Sequence, residues 1–479
     1  MRPNLALLTD FYEFTMASGY FEQGIGDKTA YFDLYFRKIP DGGGFAIMAG
    51  LEQVVDYLKN ISFTKSDIDY LASKGIFSKG FLKHLETFKF ECDVWGIEEG
   101  TPIFPNEPIL VVRGPIIQAQ LIETMLLLTI NHQSLIATKA NRITRSAHGR
   151  TVFEFGSRRA QGYDAAIYGA RAAYIGGCSG TSCAIADKEF HIPAAGTMAH
   201  SWVQLFPDEY SAFCAYASVF PDDCVLLVDT YNVLKTGVPN AIRVHNNLLA
   251  PMGKRLAGIR LDSGDITYLS KKARKMLDDA GLFECKIIAS NSLDEYIIRE
   301  MLLQGACVDT FGVGERLITS RSEPVFGGVY KLVAIESGNE IVPKIKLSEN
   351  VSKISNPGFK KLYRFYGDDG LAIADVITLY DEVMDNKKPY TLFHPVHTWK
   401  KSVVKNFTAE PLLKRLFKKG ECVYKSPSLY DIQKNCRKKV DSLWEEVKRF
   451  ENPHEYYVDL SKPLWDVKQK LLNDYRVEP

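Results

Sequence analysis

Four short apolar runs in the middle of the chain each end on a polar residue or in a glycine turn; they span residues 224–229, 258–262, 286–291 and 308–314. Continuous apolar runs of this length are typical of parallel strands buried on both faces. Their ends follow one another at intervals of about 20 to 35 residues, the spacing of successive strand–helix units. Because parallel strands finish at the same edge, the pattern predicts an α/β barrel with Asp229, Asp262, Asn291 and Gly312 gathered at one rim.

The pattern outside this central region is different and predicts a second domain. Short β-like pieces separated by prolines and glycines occupy residues 91–115, and similar pieces return beyond Pro343. A chain of 479 residues is also too long for one ordinary hydrophobic core. We predict that residues 1–150 form the N-terminal part of a composite α+β domain with a small β barrel or sandwich. Residues 151–340 would form the α/β barrel domain, and residues 341–479 would complete the composite domain.

Composition and charge argue against several classes of partner. Hydrophobic residues make up 46% of the chain and charged residues 24%, and 59 basic residues stand against 58 acidic ones. With the net charge near zero, no global field directs the protein to nucleic acid or to an anionic membrane. The nine cysteines form no CxxC pair, which favours reduced thiols in a cytoplasmic protein. The start of the chain lacks a signal-peptide pattern, and residues 116–138, although apolar, carry polar side chains typical of a buried helix.

A basic stretch at residues 400–439 is the segment that could suggest RNA binding. Apolar side chains are interleaved with its cations, namely Leu412, Leu413, Leu416, Phe417 and Val423. This arrangement favours packed helices with a solvated basic face over a nucleic-acid surface. We therefore predict helices here and no nucleic-acid partner.

Candidate chemistry begins at two segments with small residues and turns. Arg158 and Arg159 follow a glycine turn, and the planar guanidinium fork suits a phosphate or a carboxylate. Solvated surface arginines are an equally acceptable interpretation. His200 follows Thr197 by about one helical turn, where it could act as a base, an acid or a phosphoryl acceptor. The alternative is a structural histidine hydrogen-bonded near Trp202.

Two carboxylates and an arginine lie at the predicted strand ends. Asp229 and Asp262 could hold Mg²⁺, bind sugar hydroxyls or stabilise a cationic sugar carbon. Aspartate is also favoured as the N-cap of a following helix, and either role could explain both residues. Arg260 alternates with two aliphatic residues, so its side chain should face away from theirs. An inward-facing arginine requires a ligand carboxylate or a structural aspartate, because an unpaired buried charge is costly.

Glycine turns follow the last two predicted strands. Gly312 and Gly314 belong to one turn, and Gly327 and Gly328 belong to the other. Backbone amides in that part of an α/β barrel commonly form a phosphate cradle. The two turns therefore predict a phosphate-binding position.

Taken together, these segments resemble the nicotinate phosphoribosyltransferase family over nearly the whole chain. The matching stretches are residues 8–16 (LTDFYEFTM), 154–162 (EFGSRRAQG), 196–202 (GTMAHSW), 229–233 (DTYNV), 258–265 (GIRLDSGD), 290–291 (SN), 324–332 (PVFGGVYKL) and a tail between Asn452 and Lys468. The ordered set is far more specific than any single stretch. It implies the type II phosphoribosyltransferase architecture, an irregular, incomplete parallel α/β barrel with a second α+β domain built from both chain ends.

The resemblance also implies an activity. Family members join nicotinate to C1 of 5-phosphoribosyl 1-diphosphate, release diphosphate and form nicotinate mononucleotide for NAD biosynthesis. ATP is a co-substrate, and its hydrolysis is coupled to the reaction, in the presence of Mg²⁺, through a phosphohistidine that matches His200. The expected partners are these small molecules and a second copy of the chain.

Site residues follow from the same resemblance. Tyr12 matches the aromatic residue that stacks on the pyridine ring from the neighbouring subunit, which makes the site dependent on a homodimer. Thr197 and Arg260 match residues of the nicotinate pocket. The remaining matches are His200, Asp229 and Asp262 for catalysis, the two aspartates also for magnesium, and Arg158, Gly314, Glu315, Gly327 and Gly328 for phosphoribosyl diphosphate.

One departure from the family and three alternatives complete these expectations. Glu315 and Arg316 occupy positions where relatives often have Thr or Ser for the 5′-phosphate, so backbone amides or Arg316 should bind that group. A nicotinamide-specific relative is the closest alternative, and Arg260 favours the acid. A non-catalytic phosphosugar-binding protein would not need His200. An aldolase-like barrel would need a buried lysine directly after a strand, and the central lysines, Lys235 and Lys286, do not fit.

Overall fold

The computed structural model of the protein describes residues 4–350 and 353–475. Its helices are α1 (Phe11–Glu22), α2 (Leu51–Asn60), α3 (Lys65–Ser73), α4 (Lys79–Glu86), α5 (Ile116–Leu121), α6 (Glu123–Ser146), α7 (Tyr163–Ile175), α8 (Ala184–Phe190), α9 (His200–Leu205), α10 (Glu209–Val219), α11 (Val238–Val244), α12 (Ile266–Asp279), α13 (Glu295–Leu303), α14 (Glu315–Ile318), α15 (Leu429–Asp441) and α16 (Lys462–Asp474).

The strands are β1 (Thr29–Phe36), β2 (Ala46–Ile47), β3 (Asp93–Ile97), β4 (Pro102–Ile103), β5 (Leu110–Pro115), β6 (Thr151–Glu154), β7 (Gly180–Thr181), β8 (Val225–Leu227), β9 (Gly258–Leu261), β10 (Lys286–Ser290), β11 (Thr310–Val313), β12 (Gly328–Ser337), β13 (Glu340–Pro343), β14 (Lys360–Tyr366), β15 (Ala372–Leu379), β16 (Tyr390–Phe393), β17 (Lys401–Val404), β18 (Thr408–Pro411), β19 (Leu413–Lys418), β20 (Glu421–Cys422) and β21 (Val458–Leu460).

The chain divides into two units. One, the barrel unit, is Ile136–Pro324; the other, the composite unit, joins Met1–Leu135 to Val325–Pro479. The second unit is thus built from both chain ends. The transitions lie earlier along the chain than the boundaries at 150 and 340 that we predict from the sequence. Strand β12 consequently belongs to the composite unit.

The barrel unit contains an all-parallel, six-stranded sheet in the order β7-β6-β11-β10-β9-β8. Strand β11 closes back onto β6, whereas β7 and β8, which follow one another along the chain, form no ladder within the described residues. Residues 193–195 lie beside β7 at this open position, where Thr181 donates its backbone N–H to Pro193 and accepts one from Ala195. The expected incomplete parallel α/β barrel is confirmed.

Strand burial explains why the central runs form this sheet. Ile259 and Leu261 of β9, like Ile287 and Ala289 of β10, are fully buried. Alternate residues point to the same face of a strand, so one face of β9 and of β10 is fully buried. Helical connections join each of these parallel strands to the next. These connections place the carboxyl ends of β8, β9, β10 and β11 at one rim, as the apolar pattern predicts.

The composite unit has a different architecture. A seven-stranded sheet in the order β13-β12-β1-β5-β3-β19-β20 is antiparallel, and a four-stranded sheet has the order β18-β14-β15-β21. Residues 91–115 contribute β3 and β5 to the larger sheet, while β4 pairs with β2. Helices α1 to α5 share a hydrophobic core with the larger sheet.

The prediction of helices throughout the basic stretch is wrong for its first half. Residues 401–422 form four short strands, β17 to β20, and helix α15 begins only at Leu429. Strand β19 pairs with β3, and Leu416 and Phe417 are both fully buried there. No helix in the described parts of the chain is both long and apolar enough to cross a membrane.

Candidate active site

Two aspartates meet at the carboxyl ends of adjacent strands in the barrel unit. Asp229 follows β8, and Asp262 comes directly after β9, which pairs in parallel with β8. The Oδ2 atom of Asp229 accepts hydrogen bonds from the backbone N of Asp262 (2.9 Å) and from Oγ of Ser263 (2.7 Å). The Oδ1 atom of Asp229 is buried and has no protein partner within the described structure. It can therefore accept a hydrogen bond or a cation from a ligand.

Neither aspartate caps the helical segment that follows it. The side chain of Asn232 accepts the backbone N–H of Lys235 (2.8 Å) in the turn after β8. Asp265 caps α12 by accepting the N–H of Tyr268 (3.0 Å). Helix capping therefore does not explain Asp229 or Asp262, and both carboxylates are available for chemistry at the rim.

His200 is the first residue of α9, and both of its ring nitrogens face polar groups. Its Nδ1 atom lies 3.1 Å from Oγ1 of Thr230. Its Nε2 atom lies 3.9 Å from Oδ2 of Asp262, close enough for attraction to a charged imidazole but too long for a good hydrogen bond. The indole of Trp202 instead donates to the backbone of Ala212. The imidazole is half-buried, and Asp262 is the carboxylate that it faces.

Ser290, the last residue of β10, fixes Asp262. Its hydroxyl donates to Oδ1 of Asp262, the oxygen that does not face His200. Ser290 is buried, whereas the Asp262 side chain is partly exposed, so the bond is part-buried. The series Ser290, Asp262, His200 and Thr230 thus forms a continuous chain of polar contacts.

Arg260 of β9 anchors the segment that leads to His200. Its Nη1 atom donates to Oγ1 of Thr197 (2.9 Å), and its Nη2 atom donates to the carbonyl of Met198 (3.0 Å). Its Nε atom is buried and has no hydrogen-bond partner within the described residues. The guanidinium therefore retains an unused donor for a ligand.

Burial lowers the pKa of Arg260 below its ordinary value, while the carboxylates of Asp262 and Asp229 counteract that shift in part. The nearby charge of Arg158 lowers the pKa of Arg260 further. Arg158 itself is exposed, in a short 3₁₀ turn, Ser157–Arg159, after β6. The two guanidinium groups are therefore close enough to interact, and the carboxylates of Asp262 and Asp229 lie within range of the same charge.

The turn after β11 places Gly314 directly before α14. The exposed Glu315 forms an ion pair with Arg321 (3.2 Å), and Arg316 forms one with Asp294. Arg316 is thus already neutralised by a protein carboxylate. This weakens the expectation that Arg316 binds a phosphate.

Gly327, Gly328 and Tyr12 lie in the composite unit rather than in the barrel unit. Gly328 begins β12, which pairs with β1, and its backbone N–H donates to Oδ1 of Asn131 (2.9 Å). That amide is engaged by the protein. Gly327, at φ +74°, adopts a conformation that favours glycine. Among the described residues, no strand lies between β11 and this turn, so the expectation that the turn follows a further barrel strand is wrong.

Tyr12 lies on helix α1, and its ring is 48% exposed. Partial burial and the carboxylates of Glu123 and Glu13 raise the pKa of the Tyr12 phenol to about 12. Tyr12 therefore presents an un-ionised aromatic ring to its surroundings near neutral pH.

Sequence reasoning missed Thr230, Ser263 and Ser290 as parts of the rim. Thr230 and Ser263 directly follow the aspartates that end two of the apolar runs, and Ser290 directly precedes Asn291 at the end of another. A small hydroxyl residue at such a position is the signal that could have identified them. Within the described residues, no cluster of three or more His, Cys, Asp or Glu side chains could hold a metal ion.

Comparisons with known proteins identify the family. The nicotinate phosphoribosyltransferase N-terminal domain matches residues 7–131, the nicotinate phosphoribosyltransferase family model matches residues 151–364, and the corresponding C-terminal domain matches residues 359–468. Nicotinate phosphoribosyltransferase from Bacillus subtilis (strain 168) is 46% identical over 476 residues, which cover 99% of this chain and 96% of that protein. The human protein of that name is 32% identical, with 98% of this chain and 96% of that protein covered.

Solved structures give the same result. Human nicotinic acid phosphoribosyltransferase superposes with a TM-score of 0.86 at 31% identity, covering 98% of this chain and 100% of that one. Nicotinate-nucleotide pyrophosphorylase from Pyrococcus furiosus has a TM-score of 0.70 at 25% identity, covering 91% and 95%. The sequence resemblance is confirmed, and the chain belongs to the nicotinate phosphoribosyltransferase family.

Proposed function

We propose that the protein joins nicotinate to C1 of 5-phosphoribosyl 1-diphosphate, forming nicotinate mononucleotide and diphosphate in NAD salvage. The observation that carries this proposal is the convergence of His200, Asp229, Arg260 and Asp262 at one rim of the barrel unit. An anionic substrate needs a cation, which Arg260 supplies. A cationic sugar needs carboxylates, which Asp229 and Asp262 supply, and phosphoryl transfer from ATP needs an acceptor, which is His200.

Arg260 is the proposed partner of the nicotinate carboxylate. Its Nε atom is unused, and its pKa is lowered by burial, which an anionic ligand would offset. Thr197, held by Arg260, would line the same pocket. Nicotinamide has no charge to offer this arginine, and therefore we expect the acid to be the preferred substrate.

Bond making and breaking at the sugar need no protein nucleophile. The pyridine nitrogen forms a bond to C1 while the bond from C1 to the diphosphate oxygen breaks. Positive charge on the ribose in the transition state would be stabilised by the carboxylates of Asp229 and Asp262. Arg158 and the turn at Gly314 and Glu315 are the proposed contacts of the phosphate groups, with backbone amides, rather than the Glu315 side chain, facing phosphate.

Asp229 and Asp262 are also the proposed protein ligands of Mg²⁺. The unpartnered, buried Oδ1 atom of Asp229 fits a hard cation, and two carboxylates are the usual protein share when substrate phosphates supply other ligands. Magnesium would neutralise phosphate charge when bound. The two aspartates would orient that charge toward the sugar.

His200 is the proposed site of ATP coupling, which would make the enzyme an ATP-dependent one of the ligase class. A ring nitrogen would attack the γ-phosphorus of ATP, the bond to the β,γ-bridging oxygen would break, and ADP would leave. The phosphohistidine would then be hydrolysed during the catalytic cycle. Its added negative charge beside Asp262 would favour the cationic sugar.

The proposed assembly is a homodimer with a shared site, in which Tyr12 of the neighbouring subunit covers the pyridine ring. Its exposed ring on α1 supports this role. The nine cysteines are free thiols, which supports a cytoplasmic location.

Mass spectrometry after incubation with ATP tests the central proposal. We expect an acid-labile phosphate on the tryptic peptide that contains His200, and its loss in His200→Ala. The variant should keep some ATP-independent synthesis of nicotinate mononucleotide, because the sugar chemistry uses other residues. A matched control, His148→Ala, changes a histidine of the barrel unit that is remote in sequence from the rim stretches.

Full ATP stimulation in His200→Ala would contradict the phosphohistidine role. Assays with nicotinamide in place of nicotinate address the closest alternative activity. Equal or faster use of nicotinamide would contradict the assignment of the acid as substrate. Binding of phosphoribosyl diphosphate without any turnover would favour a sensor.

A further inference from the structure

A large cavity in the composite unit has no role in the proposed reaction. Its volume is about 1060 Å³, at the upper end for small-molecule sites. It is lined by the turn after β1, residues 104–106, the hairpin of β16 and β17, residues 453–460 and helix α16. All of its lining residues belong to the composite unit, and none is a residue that we place in the reaction.

The charges around this cavity are predominantly positive. Its lining includes the cations Arg37, Lys38, Lys400, Lys401 and Lys468, two histidines, His394 and His454, and the acids Glu455 and Asp459. Lys360 faces Lys468 from β14. Within the described residues, Arg37, Lys400, Lys401 and Lys468 form no ion pair. The excess of cations favours an anionic ligand.

Lys468 is the most informative of these cations. Its Nζ atom donates to Oδ1 of Asn356 (2.8 Å), an uncharged partner. Burial lowers the pKa of Lys468 to about 8, and the charge of Lys360 lowers it further. Lys360 already has a carboxylate partner, Asp33, at 2.9 Å. Lys468 is half-buried and has no counter-ion within the described residues, and an anion in the cavity would supply one.

The rest of the lining suits a flat ring. Phe104 and Tyr456 are stacked with ring centroids 3.9 Å apart and planes 12° from parallel, and both contribute to the wall. Leu392 and Phe393 add buried apolar surface. Asp459 is buried, and burial raises the pKa of its carboxyl to about 7, so that it can donate a hydrogen bond while protonated.

We propose that this cavity binds a phosphorylated compound with a flat heteroaromatic ring, the chemical class of a nucleotide. Lys468 contacts the phosphate, supported by Arg37, Lys400 and Lys401, and the aromatic and aliphatic wall contacts the ring. This site is separate from the proposed function, because it uses no residue of the barrel unit. Its test is therefore independent of the tests of the proposed function.

The acetylation rate of Lys468 provides a local readout in the full-length protein. A lysine with a pKa of about 8 has on the order of a hundred-fold more free amine at pH 7 than an ordinary lysine. With acetic anhydride and peptide mapping, Lys468 should react faster than the exposed Lys470 on the same helix. Bound phosphate should restore the ammonium form and slow the reaction by roughly ten-fold or more.

Three probes separate the parts of the proposal. Adenosine monophosphate should protect Lys468 at lower concentration than inorganic phosphate does, and adenosine alone should give no protection. Lack of protection by both phosphate compounds would overturn the site. Equal protection by inorganic phosphate would overturn the recognition of a ring.

Photolabelling with 2-azido-adenosine monophosphate gives an independent measurement. We expect saturable labelling of peptides within residues 390–402 or 453–460. Lys468→Gln should abolish it, and the matched control Lys470→Gln should not, with both variants checked by their urea unfolding curves. Labelling confined to peptides of residues 136–324 would overturn the proposal, whatever the outcome of the ATP-coupling test.

Discussion

At the scale of single side chains, the two nitrogens of His200 face different chemistry. Asp262 can only accept hydrogen bonds when ionised, whereas the hydroxyl of Thr230 can donate or accept. Of the two neutral tautomers, the arrangement favours the one with its proton on Nε2, towards Asp262, and its lone pair on Nδ1, towards Thr230. Ser290 keeps the Asp262 carboxylate in the required orientation.

Replacement of Ser290 tests this positioning role. Ser290→Ala removes a part-buried hydrogen bond to a carboxylate, a loss of about 1.5 to 3 kcal/mol. We expect the ATP-stimulated rate to fall by roughly ten- to a hundred-fold, because 1.4 kcal/mol corresponds to about ten-fold. The rate measured without ATP should also fall, because Asp262 is assigned to the sugar chemistry as well, so the His200 tautomer is the readout specific to positioning.

Ser290→Thr is the matched control, because it retains the hydroxyl. It should restore most of the ATP stimulation. ¹⁵N NMR of His200 should report a tautomer shift in the alanine variant and not in the threonine variant. An unchanged tautomer in the alanine variant would contradict this positioning role.

A second residue-scale prediction concerns Arg260. Arg260→Gln removes the charge that we assign to the nicotinate carboxylate, so KM for nicotinate should rise by roughly a hundred-fold, about 2 to 3 kcal/mol of charge-assisted bonding. KM for nicotinamide should stay nearly constant, which reduces the discrimination between the two rings. Arg260→Lys keeps the charge but not the fork that holds Thr197 and Met198. Its KM for nicotinate should lie between those of the wild type and Arg260→Gln. Parallel increases for both substrates would show that Arg260 acts only by holding that segment.

At the scale of helices and strands, local pattern predicted some elements and not others. The strands β8 to β11 are short, mostly apolar runs of consecutive residues, so the local sequence is enough to identify them. Their polar ends identified Asp229 and Asp262 in the same way. Parallel pairing then brought these ends together without further information.

The elements that sequence reasoning misassigned depend on distant partners. Strand β19 forms by pairing with β3, more than 300 residues earlier in the chain, and buries the adjacent residues Leu416 and Phe417. Strand β17 is largely exposed, and its lysines resemble a solvated helix face. Gly327 and Gly328 were assigned to the barrel because β12 follows β11, although β12 pairs with β1. Pairing choices of this kind are absent from a local hydrophobic pattern.

Helix α1 carries an element-scale prediction about pH. Glu13 is fully buried, and burial together with the carboxylate of Glu123 raises the pKa of Glu13 to about 8. A carboxyl with a raised pKa binds its proton more tightly in the folded state than in the unfolded one. The contribution of Glu13 to the free energy of unfolding is therefore greatest below its ordinary pKa, near 4.3, and is lost as pH rises through about 8.

Urea unfolding at pH 5, 7 and 9 measures this dependence. Glu13→Gln stays neutral throughout, so the variant should lose less stability than the wild type between pH 5 and 9, by on the order of 1 kcal/mol. The amide can still accept the hydrogen bond that Thr124 donates at 3.1 Å. Glu340→Gln, an exposed substitution on β13, should reproduce the wild-type slope. Equal slopes in Glu13→Gln and wild type would contradict a protonated Glu13.

At the scale of the whole molecule, both chain ends contribute to one unit while the central residues form the other. The composite unit carries the exposed ring of Tyr12, and the barrel unit carries His200. If a site combines the barrel of one subunit with Tyr12 of its partner, each subunit supplies half of two different sites. Mutations in the two halves should then complement each other between subunits.

Co-expression of Tyr12→Ala with His200→Ala tests this arrangement. Each homodimer has two damaged sites and should show little ATP-stimulated activity. A mixed dimer pairs the intact barrel of the Tyr12→Ala subunit with the intact Tyr12 of the other, so one of its two sites is complete. Random assembly makes half of the dimers mixed, and the co-expressed sample should therefore recover about a quarter of wild-type activity. Co-expression of the two variants with activity no higher than either homodimer would show that Tyr12 does not act across the subunit boundary.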